Sequence, residues 1–237
     1  MDDRIKLRLK FSKHGAVKYI GHLDILRYFQ KSMRRAGVDI AYSAGYSPHQ
    51  IMSFAQPLGV GMESEGEYLD IEVNSCDSAK ALINQINEVM VPGMRIEGCV
   101  RLPEGTKNAM ASVAAASYWV TLKNGENFPE KILDKADAFF AQENIIITKE
   151  TKKNTLEVDL KPHIYSQEFT DKEFNCFVDA SSAGNIKSTQ ILEALYKYAG
   201  VEYKPLAFQV TRIETYANKG SEEKPEFVPL LDMGEAF

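Results

Sequence analysis

Residues 4–11 alternate without a fault: Ile5, Leu7, Leu9 and Phe11 at odd positions, Arg4, Lys6, Arg8 and Lys10 at even ones. A period of two belongs to a strand with one dry face, so this run predicts a β-strand with an apolar side and a cationic side. Residues 68–73 repeat the pattern, with Leu69, Ile71 and Val73 against Tyr68, Asp70 and Glu72. Two half-buried strands 50 or more residues apart must be paired through whatever lies between them, and the intervening stretch organises the chain.

That stretch opens on an amphipathic helix over about 22–36, closed by Gly37. Leu26, Phe29, Met33 and Ala36 form its apolar stripe, and Arg27, Lys31, Arg34 and Arg35 form a basic one. A short apolar run at 38–43, turn material at 44–49 and a further strand-like run at 51–55 follow. After 68–73, Asp77 or Ser78 caps a helix bearing Ala79, Leu82, Ile83, Ile86 and Val89, and 94–102 is a last strand. Strand, helix, two strands, helix, strand is the βαββαβ order of a ferredoxin-like unit. The expected fold is therefore α+β, with a first ferredoxin-like domain over 1–103 and a polar linker over 103–111. A second, elaborated domain of the same class is expected over 112–217. The tail 218–237, with SEEKPE, reads as mobile.

Composition narrows the function class. At 44% apolar and 26% charged the chain is globular, and no apolar run reaches the length of a membrane span. The start MDDRIKLRLK has no signal-peptide core, so a soluble cytoplasmic protein is expected. Cys76, Cys99 and Cys176 form no CxxC pair, so they read as free thiols and no cofactor or metal is expected. Residues 1–36 hold ten Lys or Arg against three Asp, a local charge of +7 in a chain of net −5. A basic patch on an acidic protein points to an anionic partner met at one face.

Two clusters carry the candidate chemistry. In GHLD, His22 and Asp24 begin the first helix: Asp24 favours the positive helix end and pairs with Arg27, while His22 is a proton carrier or phosphate contact. The bland alternative is a capping arrangement. In AYSAGYSPH, Tyr46, Ser47 and His49, with Tyr42 and Ser43, sit on a Gly- and Pro-rich loop of the kind on which sites are built. No HxxxH or carboxylate cluster accompanies His49, so a metal site is not read there. Lys6, Arg8, Lys10, Arg27, Arg34 and Arg35 are the candidate phosphate contacts, and Phe11, Tyr19 and Tyr28 the stacking surfaces. His163 and the SSAGNIKST turn around Gly184 are weaker signals, the latter read as a helix start.

The segment KYIGHLDILRYFQKSMRRAGVDIAYSAGYSPHQIMSFAQPLGVGMESEGEYLDIEV resembles the radical-SAM-associated (radical-SAM-linked) bacterial proteins, a domain family of unknown function, and GNIKSTQILEALY extends the likeness. The resemblance implies a fused or neighbouring partner of radical-SAM proteins with a cobalamin-binding-type region. This chain lacks the CxxxCxxC signature, so the role implied is accessory. In domain order the chain also looks like repeat-associated RNA-binding proteins with tandem ferredoxin-like domains, including RNA-processing endoribonucleases. The leading expectation is a non-catalytic module that presents RNA, or an RNA-linked substrate, to a radical-SAM protein. The alternatives are a metal-independent RNA-processing enzyme using His22 or His49, and a protein–protein adaptor.

Overall fold

The computed structural model describes residues 4–150 and 155–237. Asp2 and Asp3, counted in the basic segment, lie outside them. The fold is mixed α+β and the chain divides into two units, the first from 1–114 with 212–237, the second from 115–211.

The first unit runs β1 (Ile5–Lys13), α1 (His22–Arg35), β2 (Met52–Phe54), β3 (Glu63–Val73), α2 (Ala79–Asn87), β4 (Met94–Arg101) and the single turn α3 (Ala109–Ser112). β1 lies between β4 and β3, antiparallel to both, and β2 pairs with the far side of β3. The alternation in β1 does what its period demands. Leu7, Leu9 and Phe11 join Leu69, Ile71 and Val73 on one sheet face, where Ile25, Phe29 and Met33 of α1 and Leu82 and Ile86 of α2 close the core. Phe29 sits edge-on to both Phe11 and Phe54, centroids 4.8 and 5.5 Å away. Ser78 caps α2 by accepting from Ala81 N at 3.2 Å.

Local differences from the expected elements have tertiary causes. Residues 38–43 make only isolated bridges, Ile40 to Val73 and Tyr42 to Gln50, because β2 occupies the pairing edge of β3 from Leu69 to Ile71. The polar segment 103–111 is no loose linker: Ala109 is buried and its N–H donates to Asp70.

The second unit runs β5 (Ala115–Leu122), α4 (Glu130–Phe140), the hairpin β6 (Ile146–Glu150) and β7 (Thr155–Asp159), β8 (Ile164–Phe169), β9 (Glu173–Asp179) and α5 (Ser188–Ala199). It closes with the start of β10 (Phe208–Asn218), and the strand order is β10-β5-β9-β8. Val120, Phe174, Cys176 and Val178 turn to the helices, whose Ile132, Phe139, Ile191 and Leu195 complete its core. Gly200, at φ +62°, ends α5 in the left-handed conformation that glycine adopts without a Cβ clash.

From Arg212 onward β10 belongs to the first unit, where Ser64 Oγ donates to Arg212 O and Thr215 Oγ1 to Gly66 O. The tail beyond it, expected to be mobile, is built in. β11 (Phe227–Pro229) pairs with β10, Leu230 has no exposed surface, and Glu235 bridges Arg101. SEEKPE is an exposed turn, but the apolar residues after it, Phe227, Val228 and Leu230, have a sheet face to cover.

Candidate nucleic-acid interface

The cationic side of β1 is only partly open to solvent. Its register sets Lys6 opposite Glu72 and Arg8 opposite Asp70. Arg4 Nη1 lies 3.5 Å from Glu72. Arg8, with no exposed surface, donates through Nε and Nη2 to the two Asp70 oxygens at 2.8 and 2.9 Å. Nη1 also donates to Leu230 O at 3.3 Å and Nη2 to Lys107 O at 3.2 Å. Lys10 Nζ pairs with Glu214 at 2.5 Å. The expectation that Arg8 and Lys10 meet phosphate is corrected for a physical reason: a cation drawn out of water needs a paired carboxylate, and Asp70 of β3 supplies one to Arg8 and Glu214 of β10 one to Lys10. Lys6 remains exposed.

The same layer contains residues that the sequence reading passed over. Glu214 accepts from Tyr68 Oη and Thr215 N, each at 2.8 Å, and Arg212 Nη1 donates to Glu67 at 2.9 Å with both side chains buried. Burial, with Glu214 beside it, pushes the Tyr68 phenol far above its ordinary range and keeps it a neutral donor. The available signal was the acidic register of Asp70 and Glu72, which complements that of Arg8 and Lys6.

His22 begins α1, and its ring meets Phe54 edge-on at 5.3 Å. With Lys13, Phe11, Gln56 and Glu67 it lines a cavity of about 20 Å³, room for about one water. Lys13 is buried and donates to Ile20 O at 3.0 Å and Lys18 O at 3.4 Å, which fixes the loop leading into GHLD. Burial lowers the pKa of its ammonium, and Glu67 partly offsets that. Asp24 pairs with Arg27 at 3.1 Å in the open, as the spacing predicts.

Outward on α1, Arg27, Lys31 and Arg34 follow one another at i, i+4 and i+7 and are exposed. Arg35 is exposed too, but its Nη2 donates to Ser32 Oγ at 3.2 Å and Val89 O at 3.3 Å. The loop after it is closed at its neck. Ser43 N donates to His49 O at 2.8 Å, and Ser43 Oγ meets both His49 N at 3.1 Å and Nδ1 at 2.9 Å. Gly45, at φ +104°, makes the turn, leaving Tyr46 fully in solvent, Ser47 exposed and Tyr42 half so. Gln50, buried at the base, donates to Gln30 O of α1 at 3.1 Å. The loop is thus rooted on the helix that carries the basic stripe. His22 and His49 have different surroundings, one against Phe54 and the small cavity, the other in the exposed loop.

In the second unit the two weaker signals meet. His163 Nδ1 lies 2.9 Å from Asp179 Oδ2, and Asp179 Oδ1 accepts from Ser181 N at 2.8 Å. Gly184 is needed there, since a Cβ on it would lie 2.1 Å from Asp179 Oδ2. Asp179 was the residue missing from the reading, hidden at the end of a strand.

Among the described residues no group of three or more His, Cys, Asp or Glu is placed to hold a metal ion, and no helix is long and apolar enough to cross a membrane. The three cysteines are free, and burial pushes the Cys99 thiol up to about 12. The family model "Uncharacterized protein conserved in bacteria (DUF2344)" matches residues 6–191. The chain belongs to this family. The matched span of this DUF2344 protein takes in GHLD, the loop at 43–49 and the start of α5. Comparison with the curated proteins finds no match. Among solved structures, a crystal structure of a Cbf5–Nop10–Gar1 complex is similar at TM-score 0.43 and 11% identity, over 88% of this chain and 48% of that one. The DUF2344 protein thus spans about half the length of that chain.

Proposed function

We propose that this DUF2344 protein is an accessory RNA-binding module that presents RNA, or an RNA-linked substrate, to a radical-SAM protein. The observation that carries the RNA contact is the Gln50–Gln30 hydrogen bond, which roots a loop exposing Tyr42, Tyr46 and His49 on the helix exposing Arg27, Lys31 and Arg34. Cations that follow a phosphate backbone beside rings that stack bases are the composition of single-stranded RNA sites. The radical-SAM partner rests on the resemblance of residues 18–73 and is tested by co-purification, with mass spectrometry and RNA sequencing of what accompanies the protein. We also propose that both units are ferredoxin-like. Each runs β-α-β-β-α-β with its fourth and third strands flanking the first, and β6–β7 is an insertion in the second.

The test of RNA binding is fluorescence anisotropy with single-stranded RNA across a salt series. Arg34→Ala and Lys31→Ala are each expected to weaken binding at low salt and to lower the log–log slope by about 0.7. Arg8→Ala, if folded, should leave the slope unchanged, because its guanidinium is held by Asp70. Absence of RNA binding at low salt would reduce the stripe to a docking face for an acidic protein, which is the adaptor reading.

A further inference from the structure

The hairpin β6–β7 is a two-stranded sheet of its own, and among the described residues no further strand pairs with it. A groove of about 590 Å³ lies beside it, against α4 and α5. Residues 145–148 line this groove one after another, whereas no residue of β7 does. Successive residues of a strand point to opposite faces, so a wall made of four in a row is the edge of the strand and not a face of the hairpin. The register decides which backbone groups that edge offers. Leu160 N donates to Ile145 O at 2.9 Å, and Ile147 pairs with Val158 two residues on. In an antiparallel ladder the direction alternates, so Ile145 and Ile147 turn their N–H and C=O groups to β7, while Ile146 and Thr148 turn theirs to the open edge. Ile146 and Thr148 are both exposed, and no second strand stands there to take those groups. An edge in that state is a template for another strand.

We infer that the groove binds an extended polypeptide segment of a partner protein, which adds to β6 as a third strand. The inference goes beyond the function proposed above, since it uses other residues in the other unit and involves no nucleic acid. Three observations select a peptide as the occupant. The edge at Ile146 and Thr148 presents N–H donors and C=O acceptors at strand spacing, which an extended main chain answers group for group. Phe139, Ala194 and Tyr198 give the groove apolar surface, which takes the alternate side chains of a segment with apolar residues at every second position. On the α5 wall, Glu193 and Lys197 are exposed one turn apart, and neither forms an ion pair among the described residues. A segment that carries both a basic and an acidic residue complements them. The Glu193 carboxylate repels a phosphate backbone, which has no amide groups to offer β6.

The experiment uses the full-length protein and a short fluorescein-labelled peptide in which valine alternates with lysine and glutamate. Anisotropy is expected to show saturable binding. Amide hydrogen exchange, read by NMR, locates the contact. Ile146 and Thr148 are expected to exchange freely in the protein alone and to slow by at least about 10-fold at saturating peptide, whereas Ile147 is protected in both states. Thr148→Pro removes an edge donor without touching the ladder to β7, a change that edge strands tolerate, and is expected to weaken binding by at least about 10-fold. Thr148→Val keeps the donor and should bind as wild type does. Ala194→Arg fills the groove from the α5 side and should abolish binding. Far-UV circular dichroism and melting temperature confirm that these variants are folded. Binding that leaves the Ile146 and Thr148 amides unprotected, or that persists unchanged in Thr148→Pro and Ala194→Arg, overturns the inference. So does an absence of binding at millimolar peptide. A dimer in sedimentation equilibrium that Thr148→Pro dissociates assigns the edge to a second copy of this chain and overturns the partner peptide.

Discussion

A guanidinium with no exposed surface, such as that of Arg8, has lost its water and must find its partners inside the protein. Arg8 finds a bidentate carboxylate and two backbone carbonyls. Lys13 solves the same problem less completely, with two carbonyls and the field of Glu67. Its pKa is therefore held below 10.5 in the folded chain, while in the unfolded chain it returns to that value. Between the folded and unfolded values the unfolded chain binds more protons, so stability attributable to Lys13 rises with pH through that window. Below it the buried charge weakens the fold by a constant amount. The expected outcome is that the unfolding free energy of wild type, measured in urea against that of Lys13→Met, improves as pH is raised from neutrality toward 10.5. A flat difference would mean that Lys13 is not desolvated.

At the scale of an element, α1 shows how one helix turns one face to the core and another to solvent. Ile25, Phe29 and Met33 recur every four residues and are buried, while Arg27, Lys31 and Arg34 occupy the opposite side. Gly37, at φ +68°, supplies the left-handed residue that stops the helix. The basic stripe and the helix start at His22 were legible from spacing; the apolar stripe, read as Leu26, Phe29, Met33 and Ala36, missed the buried Ile25, and the choice of Ser78 over Asp77 as the cap of α2 came from the structure. Phe29→Ala should cost about 3–5 kcal/mol of stability, because the ring packs against Phe11 and Phe54. Arg34→Ala should fall within about 0.5 kcal/mol of wild type, as exposed positions do. Thermal melts of the two variants separate these faces, and a large loss in Arg34→Ala would show that the stripe has a structural role. The strand cations were misread for the opposite reason. Periodicity says which residues share a face, and only the partner strand says whether that face is wet.

At the scale of the whole molecule, the chain leaves its first unit at residue 114 and returns to it at residue 212. The returning segment brings Arg212 to Glu67, Glu214 to Lys10 and Tyr68, and the Leu230 carbonyl to Arg8. A fragment ending at residue 114 would leave those buried groups unpaired and is expected to be unfolded by NMR. In the intact chain, Leu230→Ala should cost about 2–5 kcal/mol, since the side chain has no exposed surface. Unchanged stability in that variant would mean that the tail is not part of the fold.

Local pattern therefore determined a good deal: the α+β class, strands β1 and β3, helices α1 and α2, the exposed basic stripe, and the turn-built loop from Ser43 to His49. These depend on interactions within about a dozen residues, and hydrophobic period, caps and glycines record them directly. The tertiary structure alone decided the rest. It paired Arg8 with Asp70 and His163 with Asp179, seated the tail against the sheet, and set Trp119 and Phe177 on one face of neighbouring strands. Each of these depends on which strands become neighbours and in what register. Such choices are made by long-range packing and charge pairing, and no single window of the sequence contains both partners.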